Sequence, residues 1–79
     1  MNTVDQLILD ENNMAFHPMM GNSYQLNEIG KEIITLLKHN KSKDEIIKEL
    51  LLKYDVSKNE LFVDINDFLS KMKIYGLIS

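Results

Sequence analysis

Two different periods run through this chain. From residue 28 onward apolar positions recur three and four apart, the spacing of one helical face; before that they tend to alternate. The N-terminal third holds three short extended segments. Residues 6–10, QLILD, are mixed apolar and lead into DENN, residues 10–13, whose side chains tolerate left-handed backbone and favour turns. Residues 14–17, MAFH, place Met14 and Phe16 on one face and Ala15 and His17 on the other; Pro18 cannot donate to a ladder, so the strand ends there. After the loop PMMGN, residues 23–26, SYQL, alternate again, with Tyr24 and Leu26 opposed to Ser23 and Gln25.

Three helices follow. Asn27 suits an N-cap, and Ile29, Ile33, Leu36 and Leu37 line one face. Lys38 and His39 occupy the last turn, where positive charge complements the helix dipole, and Asn40 accepts the left-handed conformation that stops the helix. SKDE, residues 42–45, predicts a reciprocal capping box between Ser42 and Glu45, with Ile46, Ile47, Leu50 and Leu51 buried behind it and Tyr54 extending the stripe. SKNE, residues 57–60, repeats that pattern and opens a third helix whose inner face is Leu61, Ile65, Phe68, Leu69 and Met72. Gly76 ends it, and Leu77 and Ile78 fold back on the core. The expected fold is α+β: a three-stranded antiparallel sheet followed by three helices, a small winged helix-turn-helix with one sheet face on the helices.

Composition narrows the function. With 79 residues the chain holds one domain, and a core of that size leaves little apolar material for a deep substrate cavity. A hydrophobic fraction of 44% and a charged fraction of 27% are ordinary for a globular domain. There is no cysteine, which excludes disulfides and thiolate metal sites. No apolar run approaches the roughly 18 residues of a membrane span, and the start MNTVDQ lacks a secretory n-region and h-region, so a cytoplasmic location is expected. The net charge is -3, and every basic residue is a lysine interleaved with acids. A phosphate-tracking surface needs clustered cations, so nucleic acid is not an expected partner.

Candidate chemistry is sparse. His17 and His39 are far apart in sequence and have no cysteine to join them, which does not make a zinc site. Phosphate loops, nucleophile elbows and paired histidine–carboxylate motifs are absent from the sequence, so no catalytic residue and no cofactor is expected. Gly30, in the first helical turn, allows a close approach of helix to sheet. Met14, Met19 and Met20 could form an adaptable thioether surface; the plainer reading puts Met14 in the core and the other two over a loop. On the third helix Val63 and Ile74 are apolar where Asp67 and Ser70 mark a polar flank, which is either tolerated exposure or a contact surface.

The ordered set Tyr24, Leu26, Asn27, Gly30, Ile33, Leu36 and Leu37 resembles the PqqD-like proteins, the leader-recognition elements of ribosomal peptide natural-product pathways. Ser42, Glu45, Ile46, Leu50, Tyr54 and Val56 continue the resemblance, and Asp64, Phe68, Leu69, Gly76, Leu77 and Ile78 complete it, so that it covers residues 7–78. Two departures are mild: Ile34 stands where an aromatic is often found, and Asn40-Lys41 replace a glycine before the second helix.

The resemblance implies a non-catalytic peptide chaperone. It would hold the leader of a precursor peptide as an added strand beside the third strand and third helix, and present it to a modifying enzyme such as a radical SAM enzyme or a leader peptidase. The implied binding residues are Ser23, Tyr24, Gln25 and Leu26, with backbone pairing assigned to Tyr24, Gln25 and Leu26. Phe68, Lys71 and Tyr75 are expected on the facing groove wall, where Lys71 suits an acidic leader. The expected assembly is a monomer or a weak homodimer without membrane contact. A winged-helix DNA-binding or transcription-partner domain is the alternative, weakened by Glu60, Asp64 and Asp67 on the third helix.

Overall fold

The computed structural model describes residues 4–78. A single 3-10 turn, Val4–Gln6, leads into β1 (Ile8–Leu9), β2 (Met14–His17) and β3 (Asn22–Gln25). Three helices follow: α1 (Glu28–Lys38), α2 (Lys43–Lys53) and α3 (Lys58–Ile74). The sheet order is β1-β2-β3, antiparallel throughout. β1 is shorter than the predicted segment, because the 3-10 turn takes up Gln6 and the Asp10 carboxylate accepts from the Asn12 and Met14 amides to form the turn.

Local chemistry sets the helix ends. Asn27 Oδ1 accepts from the Gly30 amide at 2.7 Å. At α2 the full capping box forms: Ser42 Oγ accepts from Glu45 N, and the Ser42 amide donates to Glu45 Oε1 at 3.0 Å. The Ser42 amide, and after it the Ser42 hydroxyl, hold the exposed Glu45 carboxyl below its usual value. α3 has only half of the predicted box. Ser57 Oγ accepts from Glu60 N at 3.1 Å, without the return bond. Ser42→Ala is therefore expected to cost about 1–2 kcal/mol and Ser57→Ala less, at the low end of the range for caps, as read from the shift in urea midpoint.

Both α1 and α3 end on a left-handed residue. Asn40 has φ 60 and Gly76 has φ 77. Lys41 N donates to Leu36 O and Leu77 N to Met72 O, the bonds that reverse the chain after a helix. The second reversal drives Leu77 into the interior, where it is buried.

The core has two parts. Ile33, Leu36, Ile46, Ile47, Leu50, Leu61 and Ile65 join the three helices. Val4, Leu7, Ala15, Ile34, Met72 and Leu77 join the sheet to α1 and α3. Phe68 and Leu37 pack against both. The inner face of β2 is Ala15 and His17, both buried, so Met14 is not a core residue as the plainer sequence reading had it. Small Ala15 lets the sheet sit close over Ile34, and strand alternation then turns Met14 and Phe16 outward. His17 Nδ1 accepts from the Met20 amide at 3.2 Å and ties down the β2–β3 loop.

Candidate functional site

The two sheet edges are treated differently. β1 is only two residues long, and lysines of α1 cover its flanks: Lys38 Nζ donates to Leu7 O at 2.7 Å and Lys31 Nζ to Asp10 O at 2.8 Å. Among the described residues no strand pairs with the outer border of β3.

Register decides which groups that border offers. Ala15 faces Tyr24, Met14 faces Gln25 and Phe16 faces Ser23. Leu26 N donates to Asn13 O at 2.8 Å. In an antiparallel pair, residues that exchange bonds alternate with residues that do not. Tyr24 and Leu26 therefore point their backbone groups at β2, and Ser23 and Gln25 point theirs away. This corrects the expectation that Tyr24 and Leu26 share in backbone pairing: their amides are spent inside the sheet. The open border offers two N–H and two C=O groups, on Ser23 and Gln25.

The border is one wall of a cavity of about 390 Å³. Ser23, Tyr24, Gln25 and Leu26 line it from the strand side, and Phe68 and Lys71 of α3 with Tyr75, which caps that helix, from the other, so the structure brings all seven sequence-predicted residues together. Strand alternation directs the Tyr24 and Leu26 side chains into the cavity, while Ser23 and Gln25 border it with their main chain. The floor was not anticipated as part of a site: Leu7, Ala15, Ile34, Met72 and Leu77 rise from the core to form it. Their periodicity signals burial, and nothing in a periodic pattern marks a buried residue that also faces a groove.

At one end the Tyr24 and Tyr75 rings touch, with centroids 4.9 Å apart and planes tilted by 33°. That contact joins β3 to the residue that caps α3. Among the lining residues Lys71 alone is charged, so the groove carries one cation between walls that mix apolar side chains with Ser23, Gln25 and Asn27. At the other end lies a second cavity of about 280 Å³, sharing Asn27, Phe68 and Lys71 and lined also by Asp64 and Asp67.

Gly30 sets the position of Phe68. A Cβ at Gly30 would stand 3.0 Å from Phe68 Cε1 and 3.2 Å from Asn27 Oδ1. The close approach is thus to α3 and not to the sheet, contrary to the sequence reading. Without that space, the ring at the centre of the groove would shift. Val63 and Ile74 are exposed and lie outside the groove. No helix among the described residues is long and apolar enough to cross a membrane.

The family profile of Coenzyme PQQ synthesis protein D (PqqD) matches residues 6–78. The chain belongs to the PqqD family. No curated protein matches it. A solved structure, TbiB1 in complex with the TbiA(beta) leader peptide, superposes with a TM-score of 0.83 at 23% identity, covering 100% of this chain and 95% of that one. At that identity the likeness establishes the fold. This PqqD-family chain shares with TbiB1 the three-stranded sheet followed by three helices.

Proposed function

We propose that this chain binds the leader segment of a ribosomally made precursor peptide by strand addition and presents it to a modifying enzyme, without catalysing a reaction itself. The observation that carries the reading is the border of β3, unmated among the described residues, forming one wall of a groove with an apolar floor whose other wall is α3. Membership of the PqqD family supports it, as does the occurrence of the same fold in a protein bound to a leader peptide.

The energetics assign a part to each element. Four main-chain bonds at about 0.5–1.5 kcal/mol each contribute only a few kcal/mol net. Ordering a flexible leader costs about 2–5 kcal/mol. A micromolar complex needs roughly -8 kcal/mol, so pairing fixes register and direction but cannot supply the affinity. Apolar leader side chains entering between Leu26 and Phe68 supply it, at about 1.5–3 kcal/mol for each one fully buried. Lys71 then favours a leader with a carboxylate at the matching position.

An amide-resolved titration tests the reading, using the N-terminal half of a precursor peptide and its C-terminal half as control. The Ser23 and Gln25 amides are expected to move with the first half and to stay still with the second. Binding detected by calorimetry while both amides remain unmoved would overturn strand addition. Concentration-dependent sedimentation without peptide would instead indicate that a second copy pairs with the border.

A further inference from the structure

A strand added to β3 sends alternate side chains to opposite faces, and only one set can enter the groove. The other set meets the outer face of the sheet, where Ile8, Met14 and Phe16 stand beside Ser23 and Gln25. Ile8 is the register partner of Phe16, and Phe16 is the partner of Ser23, so a row Ile8–Phe16–Ser23 crosses all three strands and stops at the open border. Ile8 is 57% exposed and Phe16 is 41% exposed. Ser23, exposed and short, stands between Phe16 and whatever joins the edge.

Cross-strand rows are the unit of side-chain contact in a sheet. A residue seated opposite Ser23 continues this row on the same face, about 4.8 Å from β3 and roughly 10 Å from β2. Serine is too short to fill that space. An aromatic or long aliphatic side chain passes over it and reaches the Phe16 ring, whereas a small side chain leaves the ring in water.

We infer that the bound peptide is read on both faces of the sheet, with a large apolar residue opposite Ser23 packing against Phe16 while its immediate neighbours enter the groove. This inference rests on strand addition and makes that reading more specific. A peptide held by the groove alone needs apolar residues only at alternate positions. A peptide read on both faces needs two in succession, one for each face.

The probe is a displayed library of random 12-residue peptides, selected on the immobilised full chain and, in parallel, on Phe16→Thr. Threonine, being β-branched, keeps a strand-favouring residue at this exposed position. Wild-type selection is expected to enrich adjacent large apolar pairs. Phe16→Thr is expected to lose the preference at one member of the pair and keep it at the other. A peptide selected on wild type should bind Phe16→Thr about three- to tenfold more weakly. Intermolecular NOEs from its outward apolar side chain to the Phe16 ring supply a readout that needs no variant.

Identical selections on the two proteins, or an outward position filled by polar residues, would overturn the inference while leaving strand addition standing. So would a change of sedimentation in Phe16→Thr with no change in selection, since the row would then be covered by a second copy. If none of the selected peptides moves the Ser23 and Gln25 amides, strand addition itself falls, and two-faced reading with it.

Discussion

Gln25→Pro is expected to weaken leader binding by about tenfold or more while leaving the thermal unfolding of the free protein almost unchanged. The asymmetry comes from register. The Gln25 amide points away from β2, so proline removes no bond of the β2–β3 ladder. The side-chain bonds lost with Gln25 are long, 3.4 Å to Asn12 O and 3.5 Å to Leu26 O, and both are exposed. What disappears is one of the two donors on the border, and the pyrrolidine ring also occupies the path of an incoming strand. Tyr24→Pro is the contrasting change, because the Tyr24 amide is committed to Ala15 and its loss weakens the sheet in the free protein. Calorimetry with the leader half-peptide, beside thermal unfolding of both variants, separates the two effects. Unaltered affinity in a folded Gln25→Pro protein would contradict pairing at this border.

Leu50→Ala is expected to have the largest effect on stability. Leu50 is 0% exposed and sits in the cluster where α2 meets α1 and α3. Removing a buried leucine side chain costs about 2–5 kcal/mol through lost transfer energy and the cavity left behind. A domain near this size has roughly 3–5 kcal/mol in total. The variant should therefore lose its cooperative unfolding transition, or show it only well below the wild-type temperature. Leu52→Ala, two positions along the same helix, should remain within about 0.5 kcal/mol of wild type, since Leu52 is 89% exposed. A urea titration followed by circular dichroism distinguishes them. If both leucines behaved alike, the assignment of the inner face of α2 would be wrong.

The contrast between these leucines was legible in the sequence, because a helix carries its own ruler. Ile46, Ile47 and Leu50 share a face whatever packs against it, and Ser42, with Glu45 three residues on, announces the start. Gly76 and Asn40 could likewise be read as endings, since their left-handed backbone answers a local need. The strands were read less well. Both faces of MAFH are plausible inner faces on composition, and the burial of small Ala15 in one cluster with Ile34 settles the choice against Met14. The spacing at Ser57 predicts a second box, yet its return bond does not form.

The candidate site divides in the same way. Its seven residues came from a family resemblance and not from periodicity, and they converge on one cavity because α3 crosses beside β3. The pairing role of Ser23 and Gln25 could not be read from the sequence. It depends on Asn13 meeting Leu26, and a shift of one residue would exchange every inward group for an outward one.

The amino-acid sequence alone determined three helices with their N-caps and the order of strands and helices. Those features are local, set by neighbours within a turn or two. Tertiary structure alone decided which strand edge stays open, which amides face it, and how far Phe68 intrudes on the groove beside Gly30. Each depends on two distant segments meeting at a fixed register, and such a distance is set by the packing of the whole core.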